Sequence, residues 1–194
     1  MQAEYKLSLT ALHADQAEPP AQARLEEARS SLGFVPNMYA VMANSPGLLD
    51  TYVHGYGRFR ERSGFTPAEQ EVVFLAISRE NGCTYCVAAH SFLADKMSGV
   101  PAEVTDAIRE GELIPDARLA ALHGFTRTMV AKRGLPSRSD VAAFLAAGYS
   151  ERQILEIVLS IAVKTLSNYA NHLFHTPVDA FFAARAWTDP RCGS

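Results

Sequence analysis

Apolar residues recur at every third or fourth position over most of the chain, which is the spacing of one face of an α-helix. The sequence shows no convincing alternation of apolar and polar residues with a period of two. It also lacks tight turns that would join two such stretches into a β-hairpin. The pattern therefore predicts an all-α fold with short connections, in which helices adjacent in sequence pack as neighbours.

Residues typical of helix ends divide this pattern into segments. Thr66 with Glu69, and Ser150 with Gln153, form capping boxes at the start of two helices, and Gly33 is typical of the position directly after a helix. The predicted helices cover approximately residues 21–32, 38–44, 46–62, 67–80, 83–97, 101–110, 115–132, 138–144, 151–172 and 178–186.

The chain of 194 residues is long enough for one hydrophobic core. We expect an N-terminal lead-in over residues 1–20, a single helical domain over residues 21–186 and a C-terminal tail over residues 187–194. The capped helices that follow Phe65 and Tyr149 are weakly similar to each other. A duplicated helical hairpin explains this similarity, and chance likeness between two amphipathic helices explains it nearly as well.

The composition is that of a globular protein, with 48% hydrophobic and 20% charged residues. The formal net charge is −3, whereas nucleic-acid-binding domains usually carry a strong positive charge. The longest apolar run, Ile154 to Val163, contains Glu156 and is too short to cross a bilayer. The first residues include acids and prolines where a secretory signal has basic and apolar regions. We therefore expect a cytoplasmic protein without nucleic-acid or membrane partners.

Two cysteines and a histidine share one face of the fifth predicted helix. At about 100° per residue, Cys83, Cys86 and His90 lie within about 60° of one another around the helix axis. The residues around them are mostly apolar, so we expect this helix to be largely buried. A C-x-x-C spacing in a reducing compartment indicates redox or metal chemistry.

An acidic residue on the preceding helix is a partner for this histidine. Glu71 lies about nine residues before the end of its helix, a rise of roughly 13 Å, and His90 lies seven residues into the next helix, a rise of roughly 11 Å. Because the Asn81-Gly82 break is short, antiparallel packing brings the carboxylate level with the imidazole. The spacing predicts a relay from Glu71 through His90 to a thiol.

Such a relay would activate a cysteine. An ordinary thiol, with a pKa of about 8.5, is only partly ionised at neutral pH, and the thiolate is the nucleophilic form. His90 can accept the proton of Cys86, and Glu71 can orient the imidazole and stabilise its charged form. The helix start at Cys83 adds a field that favours negative sulfur, and the spacing of the two cysteines allows a disulfide.

The order Glu71-x11-Cys83-x2-Cys86-x3-His90 resembles the signature of the carboxymuconolactone decarboxylase superfamily, in its alkyl hydroperoxidase D (AhpD)-like branch. The segments GFVPNMYAVMANSPGLLD and NHLFHTPVD extend the resemblance, to the peroxidase-related subgroup, over roughly residues 32–179. AhpD itself has a histidine between the cysteines. This chain has Tyr85 there, so that proton carrier is missing.

The resemblance implies an AhpD-like helical bundle that assembles as a homo-oligomer, a trimer or hexamer, and reduces hydroperoxides through its cysteine pair. By the resemblance, Cys86 is the attacking thiolate, Cys83 resolves its sulfenic acid, and Glu71 with His90 forms the proton relay. Such a cycle consumes a hydroperoxide and depends on an external dithiol reductant. It needs no metal, haem or flavin as a cofactor.

Other interpretations of the same residues remain open. Cys83 and Cys86 are also compatible with two buried core cysteines, or with a zinc site completed by His54, His172 or His175. The two late histidines can equally line the pocket of the thiols or cap the end of their helix.

Other functions are open as well. A carboxymuconolactone decarboxylase-type reaction belongs to the other branch of the superfamily, although it has no evident need for two cysteines. A non-catalytic redox-sensing or stress-associated interaction protein would instead use the disulfide to change oligomer contacts. Tyr85 and Tyr169 can donate hydrogen bonds to a bound peroxide or simply pack as aromatic side chains.

Overall fold

The computed structural model describes residues 3–192, except for the side chain of Cys192. Within these residues the structure is helical and has no β-strand, which confirms the predicted all-α class. The α-helices are α1 (Pro19–Leu32), α2 (Asn37–Met42), α3 (Pro46–Arg62), α4 (Pro67–Glu80), α5 (Thr84–Leu93), α6 (Ala102–Glu110), α7 (Ala117–Ala131), α8 (Arg138–Ala146) and α9 (Glu151–Phe174). A π-helical turn, Ala94–Ser98, continues α5, and 3-10 helices cover Ala14–Gln16, Ala180–Arg185 and Pro190–Cys192.

The predicted capping signals are present at the ends of the helices. Thr66 Oγ1 accepts the Glu69 N–H, and the Glu69 carboxylate accepts the Thr66 N–H at 2.8 Å. Ser150 and Gln153 make the same pair of bonds at the start of α9, and Gly33 ends α1 with a φ of 81°. Local sequence therefore determines where α4, which carries Glu71, and α9, which carries Lys164, begin.

Helix α4 lies at the centre of the fold. It packs against α5, α6, α7 and α9, and every residue from Glu69 to Arg79 is buried. An apolar cluster around Phe74 joins α4 to α6, α7 and α8. A second cluster joins α1, α2, α3, α5 and α9, and it includes Cys83 and Cys86. The two cysteines are therefore part of a packed interior.

Gly55 allows α3 and α9 to approach closely. A Cβ atom at this position would lie 2.8 Å from Val163 Cγ2 on α9, well inside van der Waals contact. The close crossing places Tyr56 and Arg60 of α3 and Lys164 of α9 in the wall of one cavity.

The segments before and after the predicted domain contact it. The Leu7 N–H donates to the Leu173 carbonyl at 2.9 Å. Trp187 is buried, and its indole N–H donates to the Arg109 carbonyl at 3.2 Å. The division of the chain at residues 20 and 186 stays a prediction, but both flanking segments add contacts to the helical bundle.

Two local expectations need correction. The final predicted helix, residues 178–186, is a 3-10 helix over Ala180–Arg185, since so short a segment gains little from α-helical hydrogen bonding. The suggested second hairpin is absent: residues 151–174 form one continuous helix, because that segment contains no break comparable with Asn81-Gly82. In the described part of the chain, no helix combines the length and hydropathy needed to cross a bilayer.

Candidate active site

The short link between α4 and α5 positions the two cysteines. Gly82 adopts a φ of 68°, which favours glycine, and the Cys83 N–H donates to the Ser78 carbonyl at 2.9 Å. Cys83 is the N-cap residue of α5, and Cys86 lies in its first turn. Both cysteines are buried free thiols.

The structure brings Glu71 and His90 together across this hairpin, as their spacing predicts. Glu71 Oε2 lies 2.8 Å from His90 Nδ1, and the two residues are 0% and 4% exposed. The other carboxylate oxygen of Glu71 accepts a hydrogen bond from Arg60 on α3. Burial alone would raise the pKa of Glu71, but His90 and Arg60 hold it below its ordinary value. Glu71 is therefore a carboxylate.

A lysine from α9 occupies the other side of the imidazole. Lys164 is fully buried, and its Nζ lies 2.9 Å from His90 Nε2. Burial and the Lys164 charge lower the pKa of His90, against the opposing effect of Glu71. The hydrogen-bond partners then assign a neutral ring with its proton on Nδ1, donated to Glu71, and with Nε2 accepting from Lys164.

This arrangement adds Lys164 to the groups of the predicted relay. The spacing predicts that His90 takes the proton of a thiol directly, but both of its nitrogens already have partners. Lys164 Nζ contacts His90 Nε2, and the Lys164 charge lowers the pKa of Cys86. Lys164 reaches the site because α9 packs against both α4 and α5.

Two more side chains of α9 face the sulfurs. Asn171 Nδ2 lies 3.4 Å from Cys86 Sγ and 3.8 Å from Cys83 Sγ. Ser167 Oγ lies 4.0 Å from Cys86 Sγ. An amide nitrogen can only donate, so the Asn171 contact favours sulfur that carries negative charge.

The two thiols are unequal. Burial works against ionisation of Cys86, but the hydrogen bond from the Cys83 thiol and the Lys164 charge hold the pKa of Cys86 well below its ordinary value. Burial and the hydrogen bond to Cys86 raise the pKa of Cys83 well above its ordinary value. The site therefore favours ionisation of Cys86 over ionisation of Cys83.

The buried charges of the site form two pairs. Glu71 is balanced by Arg60, and the Cys86 thiolate is balanced by Lys164. Pairing is required because an isolated charge in a protein interior carries a large desolvation cost.

A cavity of about 610 Å³ opens beside these groups. Its wall includes Cys86, His90 and Lys164, and among the described residues that line it Cys83 does not appear. Seven aromatic side chains also line it: Phe34, Tyr39, Tyr52, Tyr56, Tyr85, Phe181 and Phe182. The volume is that of pockets that bind organic molecules. A molecule in this cavity would meet Cys86 rather than Cys83.

The tyrosine between the cysteines has a different partner. The Tyr85 hydroxyl donates to the Asp179 carboxylate, which also accepts the Asn37 N–H at 3.1 Å. Burial, and then the Asp179 charge, raise the pKa of Tyr85, so its hydroxyl stays protonated. Tyr85 therefore ties α5 to the start of α2 and to the segment after α9.

The late histidines lie away from the cavity. His175 ends α9 in the left-handed conformation, and its Nε2 lies 2.7 Å from the Ala3 carbonyl oxygen. His172 stacks against Tyr169, which is largely exposed, with ring centroids 6.2 Å apart. Tyr169 contributes to a separate apolar pocket of about 360 Å³ beside the N-terminal segment.

The structure does not support the zinc interpretation in the part of the chain that it describes. Within residues 3–192, no group of three His, Cys, Asp or Glu side chains is placed so that it could hold a metal ion. His54 is exposed on α3, and both nitrogens of His90 are hydrogen-bonded.

Four polar residues of the site lie outside the cysteine motif: Arg60, Lys164, Ser167 and Asn171. A signal for three of them exists on α9, where buried polar residues recur at helical spacing on an otherwise apolar helix. These residues are Ser160, Lys164, Ser167, Asn168 and Asn171. A polar stripe on the buried face of a helix indicates a polar site, because such groups need partners.

The model of the Carboxymuconolactone decarboxylase family matches residues 46–126, a range that contains the whole Glu71–His90 signature. No curated protein matches the chain.

Solved structures with this fold match almost the whole chain. A peroxidase-related protein from Ralstonia eutropha JMP134, described as an alkylhydroperoxidase AhpD core, is 21% identical and aligns over 93% of this chain and 96% of its own, with a TM-score of 0.80. A peroxidase-related protein from Silicibacter sp. TM1040 is 20% identical over 93% and 97%, with a TM-score of 0.73. The debrominase Bmp8, solved in complex with 2,3,4-tribromopyrrole, is 17% identical over 93% and 96%, with a TM-score of 0.74. At these identities the similarity establishes the fold.

Proposed function

We propose that the chain is a thiol-dependent peroxidase of the carboxymuconolactone decarboxylase superfamily, in its AhpD-like branch, a proposal supported by the family match over residues 46–126 and by the shared fold. Cys86 is the attacking thiolate, Cys83 is the resolving thiol, and Glu71 with His90 supports proton transfer. The observation that carries the proposal is a buried pair of cysteines beside the Glu71–His90 contact, with Cys86 in the wall of a cavity and with its pKa held well below its ordinary value.

The reaction uses the two sulfurs in turn. The Cys86 thiolate attacks the terminal oxygen of a hydroperoxide, ROOH, and the O–O bond breaks. The departing oxygen gains a proton and leaves as the alcohol ROH, while Cys86 becomes a sulfenic acid. Cys83 attacks this sulfur, and water and a disulfide are formed. A dithiol then reduces the disulfide and is itself oxidised.

The cavity favours an organic hydroperoxide over hydrogen peroxide as the substrate. A volume of about 610 Å³ is many times that of a small molecule such as water, which occupies about 30 Å³ in the liquid. The aromatic wall offers apolar contact area that only a substrate with an organic group can use. We expect cumene hydroperoxide to react with a higher kcat/KM than hydrogen peroxide.

Peroxide consumption with dithiothreitol as reductant tests the proposal. The wild type is expected to turn over, Cys86→Ser to be inactive, and Cys83→Ser to form a sulfenic acid that dimedone traps without further turnover. Cys192→Ser removes the third cysteine of the sequence and serves as the matched control. Full turnover by the Cys83→Ser, Cys86→Ser double variant would overturn the proposal, and cysteine-independent release of carbon dioxide would favour a decarboxylase.

The reductant, the location and the assembly complete the proposal. An external dithiol, small or protein-borne, reduces the disulfide, and the cytoplasm keeps such dithiols reduced. A homo-oligomer, trimer or hexamer, is expected, and sedimentation velocity of the reduced and oxidised protein measures it. A change of assembly with redox state but without peroxide turnover would instead indicate a sensor.

A second candidate function is reductive dehalogenation of an aromatic compound. It is favoured by the aromatic wall of the cavity beside Cys86 and by the likeness to a debrominase bound to a bromopyrrole. The two thiols would supply two electrons: an aryl bromide and both thiols give the arene, bromide, a proton and the disulfide. Bromide release from 2,3,4-tribromopyrrole under single-turnover conditions tests this candidate, and its absence alongside peroxide turnover would exclude it.

A further inference from the structure

Lys164 carries chemistry that the cysteine motif does not describe. Its side chain is fully buried on α9, in the wall of the cavity that Cys86 also lines. Its Nζ lies 2.9 Å from His90 Nε2. One turn further along α9, Ser167 contacts Cys86 and also donates to the Lys164 carbonyl at 3.2 Å, so this face of the helix is directed at the sulfur.

A buried lysine without a carboxylate partner is costly unless another anion compensates it. The carboxylate of Glu71 is already bonded to Arg60 and to His90. Cys86 lies in the same cavity wall, and the Lys164 charge lowers its pKa, so a Cys86 thiolate can compensate the lysine until the sulfur is oxidised. The Lys164 ammonium group therefore has a compensating negative charge only while Cys86 is reduced.

We propose that Lys164 is the proton donor to the oxygen that leaves Cys86, and that it becomes neutral when the Cys83–Cys86 disulfide forms. The proposal rests on the proposed peroxidase function for its first part. Its second part concerns only the two thiols and Lys164, and it holds for any two-electron oxidant.

The protons and electrons balance. The Cys86 thiolate displaces the alkoxide RO⁻ from ROOH, and the Lys164 ammonium protonates RO⁻ to the alcohol. Cys83 then loses its proton as its sulfur attacks the Cys86 sulfenic acid, and that proton converts the departing hydroxide to water. The two sulfurs lose two electrons to the peroxide, and the protein supplies two protons, one from Cys83 and one from Lys164.

The charge of the site stays balanced in both states. The reduced site holds Arg60 with Glu71, and Lys164 with the thiolate. In the disulfide state the first pair remains, and a neutral Lys164 leaves no unpaired charge in the interior, as burial requires. His90 stays hydrogen-bonded between Lys164 and Glu71 and can accept from either form of the lysine.

The groups that face Lys164 come from three other helices. Helix α5 contributes Cys86 and His90, α4 contributes Glu71, and α3 contributes Arg60 and Tyr56, all in the same cavity wall. Arg60 and Glu71 are bonded to each other, and Tyr56 is bonded to Arg60 at 2.7 Å.

Oxidants with different leaving groups test the first part. Cumene hydroperoxide releases a basic alkoxide that needs a proton, whereas peracetic acid releases a carboxylate that does not. Single-turnover rate constants are measured with both oxidants. Each rate constant is divided by the fraction of Cys86 that is thiolate, which is measured from the absorbance at 240 nm. Lys164→Met is expected to lose about 100-fold or more with cumene hydroperoxide, and less than about tenfold with peracetic acid.

Two further variants separate charge from proton donation. Lys164→Arg keeps a positive charge but cannot release its proton, so it should retain the thiolate and show the same selective loss. It also covers the case in which Lys164→Met does not fold. Lys132→Met removes an exposed lysine and is the matched control. Equal losses with both oxidants, after correction for the thiolate fraction, would overturn proton donation by Lys164.

Proton uptake tests the second part in the wild type, without any peroxide. Diamide takes two electrons and two protons when it oxidises a dithiol. In weakly buffered solution with a pH dye, we expect almost no proton uptake per disulfide formed, because Cys83 and Lys164 supply both. Uptake of one proton per disulfide would show that Lys164 keeps its charge after oxidation. A Cys86 thiol that is protonated at pH 7 would show that Lys164 never balanced a thiolate. Either result would overturn the second part. Failure of peroxide turnover alone would reject the proposed function and leave this result standing.

Discussion

His90 Nδ1 and Glu71 Oε2 lie 2.8 Å apart across the α4–α5 hairpin, inside the most deeply buried part of the fold. Glu71 also balances Arg60. One carboxylate thus holds the imidazole in one tautomer and neutralises a neighbouring cation, so its replacement should affect both stability and rate.

We predict that Glu71→Gln lowers peroxide turnover at pH 7 at least about tenfold, because the imidazole loses the anion that orients it. The free energy of unfolding should fall by about 1–3 kcal/mol, since Arg60 loses its charged partner. Steady-state kinetics and urea unfolding measure the two effects. Glu61→Gln, an exposed residue of α3, is the control. A Glu71→Gln variant with wild-type rate and stability would contradict this role.

The helical hairpin was predictable because its determinants are local. A capping box, a short Asn81-Gly82 break and the fixed rise of a helix place Glu71 level with His90. The contact between Lys164 and His90 joins residues 74 positions apart. It depends on how α9 crosses the hairpin, which periodicity does not specify.

The tail and the cavity were unpredictable for a related reason. Trp187 follows the last predicted helix in a polar segment, and only its packing against the main bundle buries it. The cavity volume depends on how aromatic side chains from four separated segments pack together. The spacing of residues within one helix predicts neither the burial of Trp187 nor the volume of the cavity.

His123 should make stability depend on pH. It is buried on α7, and burial followed by the charges of Arg127 and Arg79 lowers its pKa to about 4. A histidine in the unfolded chain titrates at about pH 6.5. Between these two values the unfolded state binds more protons than the native state, so the free energy of unfolding decreases as the pH falls from about 6.5 to about 4.

We expect His123→Leu to lose this dependence. Between pH 7 and pH 4.5, the variant's free energy of unfolding should fall by roughly 2 kcal/mol less than that of the wild type. Urea unfolding at the two pH values measures the difference, with His54→Gln as a control for loss of an exposed histidine. Identical pH dependence in wild type and His123→Leu would show that His123 is not the group responsible.

Asn171 should tune the nucleophile. Its amide donates to both sulfurs, so Asn171→Leu removes a bond to the thiolate and Asn171→Asp places a second negative charge beside it. A like charge raises the pKa of a thiol by about one unit or more. Alkylation of Cys86 by iodoacetamide at pH 7 should therefore slow about tenfold in Asn171→Asp, and less in Asn171→Leu. Ser160→Ala, elsewhere on the same helix, is the control, and equal rates in all four proteins would refute this assignment.

Tyr85 should matter for stability rather than for turnover. Its hydroxyl donates to the Asp179 carboxylate, which engages its proton in a structural bond. Tyr85→Phe leaves a buried carboxylate with only the Asn37 N–H at 3.1 Å, so the free energy of unfolding should drop by about 1–3 kcal/mol. We expect kcat for cumene hydroperoxide to stay within about threefold of wild type. Tyr169→Phe, on the exposed face of α9, is the control. A loss of turnover with unchanged stability would instead place Tyr85 in the chemistry.

Gly55 and Gly57 offer a matched pair on α3. In a helix interior, alanine is favoured over glycine by about 1 kcal/mol when nothing obstructs the new methyl group. At Gly57 no atom beyond its own helix lies within 4 Å of a Cβ position, so Gly57→Ala should raise the free energy of unfolding by about 0.5–1 kcal/mol. At Gly55 the same methyl group would meet Val163 Cγ2 at 2.8 Å.

Because valine is β-branched and has little freedom to turn away, α3 and α9 must separate slightly in Gly55→Ala. Overpacking of this kind costs about 1–3 kcal/mol, which exceeds the gain in helix propensity. We therefore expect Gly55→Ala to lower the free energy of unfolding, opposite in sign to Gly57→Ala, with urea unfolding as the measurement. The separation should also move Lys164 relative to Arg60 and slow alkylation of Cys86. If both variants are stabilised equally, the close crossing of α3 and α9 is not the constraint that holds the site together.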